Sequence, residues 1–394
     1  MPRIVPRLQP DSIIGVIYID LLSVVFYSAQ RITMSAANNP LEGLNASTQS
    51  VSKQSHHIAG IRVHVHGVEE LPSSCNSVAI LWLLNPRLQT HEVMTPVAAA
   101  AIHSWNARLK SGNHGKSGAG KGLLAVSFDQ RNHGERLVDK LANEGWRQGN
   151  ERHAQDMFSI YAGTARDTSL LIDYIGAYVF PSNERKIVQH LALGISLGGH
   201  AVWHCLMHEE RITAGVVVIG CPDYVRLMTD RAKFSKLSTY TESSPPGRDF
   251  LGSRDFPKPL VEAVEKYDPA GMLLGELDTV TGSDHLNEPS ESEKNRLRPI
   301  LRNSLGGKRI LCLSGGSDKL VPYSQSEPFL TWLKHALRKD GGWFNDRGTV
   351  LEDIVDKEAK HVYTEKMKVE AMRFVCEVLA GEGPTSATSR TSKI

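Results

Sequence analysis

The chain is short of cysteine, of any dominant charge and of an uninterrupted apolar run. Its 394 residues contain five cysteines, Cys75, Cys205, Cys221, Cys312 and Cys376, far apart and with neither a CxxC pair nor zinc-type histidine spacing. No disulfide framework, structural metal or other cofactor is therefore expected, and the apolar neighbours of each thiol predict buried, reduced cysteines in a reducing compartment. Charge of one sign is equally missing: 45 Lys and Arg stand against 43 Asp and Glu, for a net charge of +2. Spread along the whole chain, these charges offer nucleic acid no basic face.

The most apolar stretch, Ile13–Tyr27, follows Arg3 and Arg7 in the manner of a signal peptide or anchor, but Asp20 interrupts it. A membrane span needs about 20 apolar residues, and a carboxylate at its centre costs roughly 2.5–3.5 kcal/mol, so no stable membrane insertion is expected. Residues 1–57 read as an N-terminal extension, with Met34 as an alternative start. At the other end, residues 381–394 are rich in Gly, Ser and Thr without apolar periodicity, as in a flexible tail. That tail finishes Ser392-Lys393-Ile394, a small-basic-aliphatic tripeptide of the kind the peroxisomal import receptor reads, with Ile in place of the usual Leu. The expected localisation is the peroxisome.

What the chain has in quantity is alternation of strand and helix. Ile61–His66 alternates apolar and polar residues, as an antiparallel strand near a sheet edge does. Ser77–Leu84 is a continuous apolar run suited to a parallel strand buried on both faces, and Thr95–Leu109 after it is helical, opened by Thr95-Pro96. The unit recurs in the strands Gly122–Phe128, Lys186–Leu193, Ile212–Gly220, Lys308–Ser314 and Thr349–Asp356. Helices are expected over His153–Tyr178, Leu197–His208, Pro328–Arg338 and Tyr363–Leu379. Such alternation predicts a doubly wound, mostly parallel α/β sheet over residues 58–380. Residues 222–302 are polar, with a short helical stretch Leu260–Tyr267 and a charged run Glu291–Arg298, and read as an inserted lid or cap.

Gly194-Ile195-Ser196-Leu197-Gly198-Gly199 fits G-x-S-x-G between a strand and a helix. A nucleophile projected from a strand end sits in a tight turn, which demands small residues two before and two after it. Its hydroxyl needs a base, and the base needs a carboxylate to fix its tautomer. Asp318, in Gly315-Gly316-Ser317-Asp318 after a strand, supplies the acid, and His361, between the last strand and last helix, supplies the base. His335 also lies downstream but falls inside an amphipathic helix; His133 reads as part of a turn network and His200 as a helix-packing residue.

FDQRNHGERL, GISLGGH, SGGSDKLVP and KHVY together resemble the α/β-hydrolase superfamily over about residues 58–380. The runs NHGERLVDKLANEGWRQGNERHAQDMFSIY and the terminal SKI are similar to fungal hydrolases from gene clusters for host-selective toxins built on an epoxy-decatrienoic acid, the AK-, AF- and ACT-toxin type. The resemblance implies an α/β-hydrolase fold and a small acyl substrate in peroxisomal toxin biosynthesis. Many superfamily members carry His-Gly after the third strand, where a backbone N–H helps hold the oxyanion; here Leu84 is followed by Asn85-Pro86-Arg87. Pro86 has no N–H, so Leu197 is expected to give one oxyanion donor and Arg87 or Leu88 the second. Acyl transfer to an alcohol on the same triad, and a non-catalytic binding or scaffold role, are the alternatives to hydrolysis.

Overall fold

The computed structural model describes residues 39–44, 49–275, 288–344 and 348–383. Ile13–Tyr27, Met34 and Ser392–Ile394 fall outside the described residues, as does part of the expected lid.

Eight strands form one sheet: β1 (Lys53–Ile58), β2 (Ile61–His66), β3 (Ser77–Leu84), β4 (Lys121–Phe128), β5 (Lys186–Ile195), β6 (Ile212–Val218), β7 (Arg309–Gly315) and β8 (Val350–Asp356), in spatial order β1-β2-β4-β3-β5-β6-β7-β8. β1 and β2 make a hairpin, β2 lies antiparallel to β4, and all pairs from β4 to β8 are parallel. An antiparallel β2 with β3 and β4 exchanged in a twisted parallel sheet is the α/β-hydrolase fold. β1 lies in the segment read from sequence as an extension. Its residues Lys53, Gln54 and Ser55 are exposed, so the apolar signal that marks a strand is weak there, and pairing with β2 decides it.

Alternate residues of the apolar strands supply two cores, one on each face. Val78, Ile80, Trp82 and Leu84 of β3 join one cluster, whereas Ala79, Leu81 and Leu83 join the other. The second face is covered by α1 (Thr95–Lys110), with Val97, Ile102 and Trp105 buried, and by the closing helix Glu365–Ala380. The first face carries α2 (His153–Val179), whose Met157, Tyr161, Leu171 and Ile175 repeat at helical spacing, and α3 (Leu197–His208).

Between β6 and β7 the described residues fold into α4 (Tyr224–Ser235), α5 (Lys258–Tyr267), α6 (Pro269–Leu274) and α7 (Glu291–Ser304). The charged run at Glu291 is the start of α7, fixed by a capping box in which Ser290 and Glu293 satisfy each other's backbone N–H. Leu297 and Leu301 of α7 enter the first core, so this end of the expected lid is a helix that packs against α3. α8 (Tyr323–Ala336) starts earlier than Pro328, which lies inside it. The N–H that Pro328 lacks leaves the carbonyl of Ser324 free, and Ser324 is exposed to water, which removes most of the cost. The closing helix is α9 (Glu365–Ala380), capped by Thr364 on the Met367 N–H. All five cysteines are buried and unpaired.

Candidate active site

Ser196 sits immediately after β5 at φ +56° and ψ −114°, a conformation an L-residue holds only under constraint. Its N–H donates to the Val218 carbonyl at 2.9 Å, tying the turn to the neighbouring strand. The glycines make this bend possible. A Cβ on Gly194 would lie 2.1 Å from the Gly198 carbonyl oxygen, and one on Gly198 would lie 2.0 Å from the carbonyl oxygen of Leu84. The first turn of α3 follows at once, so the Leu197 N–H has no carbonyl within its own helix to bond.

Asp318 and His361 come from the loops after β7 and β8, at the same edge of the sheet as Ser196. The Ser196 hydroxyl lies 2.9 Å from His361 Nε2, and His361 Nδ1 lies 2.7 Å from Asp318 Oδ2. The other oxygen, Asp318 Oδ1, accepts the N–H groups of Leu320 at 2.8 Å and Val321 at 3.0 Å, which locks the carboxylate. With the carboxylate accepting from Nδ1–H, Nε2 is the basic nitrogen and can accept from the hydroxyl. The two loops are fastened to each other: Gly316 N–H donates to the Asp356 carbonyl at 2.8 Å, and Ser317 N–H to that of Ala359 at 2.9 Å. Gly315 permits this approach, since a Cβ there would meet the carbonyl oxygens of Ala359 and Lys360 at 2.6 Å each. The Asp318 side chain is fully buried, whereas that of His361 keeps 17% exposure, which leaves the imidazole reachable.

The Asn85-Pro86-Arg87 loop lies against the elbow, because the Asn85 carbonyl oxygen would come within 3.0 Å of a Cβ on Gly198. Asn85 braces it: its side-chain amide donates to the Gln89 carbonyl at 2.8 Å, and its own carbonyl accepts from the Gln130 side chain. Two residues on, Arg87 donates its Nη1 to the Asn143 carbonyl at 2.9 Å, and Leu88 adopts φ +64°. The rival histidines have other employment. His133 bonds the Arg131 carbonyl at 2.9 Å, and burial lowers its pKa. His200 accepts the Cys221 N–H at 3.0 Å, and burial pushes it down to about 3, so it stays neutral.

Sequence reasoning missed the side chain of Arg231 on α4. Its Nη2 donates to the Leu320 carbonyl at 3.1 Å, next to the loop of Asp318. An arginine on an amphipathic helix carries no local mark of such a position. Among the described residues no group of three His, Cys, Asp or Glu is placed to hold a metal ion, and no helix is long and apolar enough to cross a membrane.

No family model and no curated protein matches the chain. Several solved structures do. One from Thermus thermophilus is 16% identical, with 85% of this chain and 100% of that one covered and a TM-score of 0.47. An acylaminoacyl peptidase of Pyrococcus horikoshii is 10% identical over 85% of this chain and 41% of that one, at a TM-score of 0.45. An esterase of Pyrococcus furiosus is 13% identical over 84% of this chain and 93% of that one, at 0.41. The chain thus spans less than half the length of the peptidase it resembles.

Proposed function

We propose that the protein is a serine hydrolase acting on an ester, thioester or related acyl compound. One observation carries this: a hydroxyl on a tight strand-to-helix bend, an imidazole 2.9 Å away and a locked carboxylate behind it at 2.7 Å. Ser196 attacks the acyl carbonyl as His361 Nε2 takes its proton; Asp318 holds the tautomer and steadies the imidazolium. His361 then returns the proton to the leaving group, and water releases the acid by the same relay. The Leu197 N–H, and that of Arg87 across the elbow, are assigned to the oxyanion. A serine nucleophile argues against epoxide opening on this fold, because the resulting ether could not be hydrolysed as a carboxylate's ester can.

The narrower reading assigns the protein to biosynthesis of a fatty-acyl-derived fungal toxin of the epoxy-decatrienoic type, inside peroxisomes and delivered there by the import receptor through Ser392-Lys393-Ile394. The resemblance in NHGERLVDKLANEGWRQGNERHAQDMFSIY and the terminal tripeptide support it. A fluorophosphonate probe tests the hydrolase reading: wild type should be labelled and Ser196→Ala should not. A folded wild type that stays unlabelled would instead favour a non-catalytic binding protein. Product analysis in the presence of competing alcohols separates hydrolysis from acyl transfer, and metabolite profiling of a deletion strain reports which acyl compound accumulates.

A further inference from the structure

Two arginines near the site make no ion pair in contact: Glu144 favours the charge of Arg87, and Asp318 that of Arg231, only from beyond contact distance. Arg87 Nη1 donates to the Asn143 carbonyl at 2.9 Å. Arg231 Nη1 lies 3.2 Å from His153 Nε2 and 3.0 Å from Met157 Sδ, and Nη2 donates to Leu320 O at 3.1 Å, all neutral contacts; its Nε is buried with no partner among the described residues. No carboxylate among the described residues lies within 4.0 Å of either guanidinium. Both charges bear on the same space: each guanidinium lies close enough to disfavour the other's charge or that of His153 between them, and Arg231 also feels Asp318. Arg87 belongs to the loop against Gly198, and Arg231 touches the loop of Asp318, so both are held by segments that border the triad.

Desolvating a guanidinium without a counter-ion is costly, and two that share one region repel each other. Burial lowers the pKa of both, Arg231 to about 10, which still leaves them charged at neutral pH. A fold that only needed packing there would do better with apolar side chains. An oxyanion supplied by a ligand removes the penalty, and the planar forks suit it geometrically.

We propose that Arg87 and Arg231 form a recognition subsite for a second, anionic group, a carboxylate or phosphate, on the acyl substrate of Ser196. This rests on the serine-hydrolase reading for its placement beside the scissile bond. The substrate class becomes a half-ester or half-thioester of a dicarboxylic acid, or an acyl compound carrying a phosphate. The neutral ester of the same length would bind without filling the subsite.

The test measures binding to the inactive Ser196→Ala protein by calorimetry, so that turnover is not needed. Monomethyl glutarate should bind at least about 10-fold more tightly than dimethyl glutarate, and Arg231→Gln and Arg87→Gln should each reduce that preference about 10-fold or more. Because Arg231 also braces the Leu320 loop, Arg87→Gln, which gives up one hydrogen bond, to Asn143, is the variant in which the preference is read beside an unchanged thermal unfolding midpoint. Propyl phosphate binding more tightly than monomethyl glutarate assigns the anion to phosphate, and the reverse order assigns it to carboxylate. Equal binding of mono- and diester, or a preference untouched by either substitution, overturns the subsite. Fluorophosphonate labelling without the preference removes the subsite and keeps the hydrolase; the preference without labelling does the opposite.

Discussion

His361 Nδ1 and Asp318 Oδ2 are 2.7 Å apart, and the remaining Asp318 oxygen is held by the N–H groups of Leu320 and Val321. The acid therefore cannot rotate away from the imidazole without leaving two backbone donors unpaired, that of Val321 buried. Asp318→Asn keeps an acceptor for those donors but presents an N–H or a weakened acceptor to Nδ1. It is expected to lower kcat by on the order of 10⁴-fold with little change in fold, read by steady-state kinetics on an ester substrate beside circular dichroism. A kcat within a few-fold of wild type would remove Asp318 from the triad.

Gly198→Ala probes the contact between the elbow and the loop after β3. The new Cβ would stand 2.0 Å from the Leu84 carbonyl oxygen, a backbone atom that cannot rotate aside. A loss of stability of about 1–3 kcal/mol is expected from urea unfolding, with a fall in kcat persisting under conditions where the variant is fully folded. An unchanged unfolding midpoint would show that the loop and elbow are not pressed together.

Asp268 and Asp223 are buried carboxyls pushed up to about 8 and about 7, in both cases chiefly by desolvation. In the unfolded chain such groups titrate near 3.9, so from about pH 4 upward the unfolded state loses protons that the folded state keeps. Their contribution to stability is complete below about pH 4 and is lost as pH rises through 7 and 8. Asp268→Asn, which preserves an acceptor for the Tyr224 N–H, should therefore gain stability relative to wild type as pH rises from 5 to 9. A stability difference between the two proteins that stays flat across that range would count against the buried neutral carboxyl.

Removal of Ser392-Lys393-Ile394 should disperse a fluorescent N-terminal fusion from peroxisomes into the surrounding cytosol, as seen by microscopy against a peroxisomal marker. Continued import of the truncated protein would show that the address lies elsewhere in the chain.

Much of this was readable in the residues. Buried parallel strands such as Ser77–Leu84 must be apolar on both faces, and a tight nucleophile turn must be flanked by glycines, so both leave local marks. Local pattern was a poorer guide to Lys53–Ile58, whose outward residues are polar and whose strand character comes from its partner. It also set the start of the helix at Pro328 too late, because an exposed Ser324 carbonyl tolerates a proline that the pattern treats as a boundary.

Chain order and residue type alone singled out Ser196, Asp318 and His361, since the chemistry admits few residue types and the fold admits one order. Only the folded chain could decide that loops ending three separate strands reach one edge within hydrogen-bond range, and that Arg87 and Arg231 come near it with hydrogen bonds to neutral groups. The reason is physical: covalent neighbours impose spacing and turns, whereas charge pairing and desolvation depend on groups brought together from distant parts of the chain.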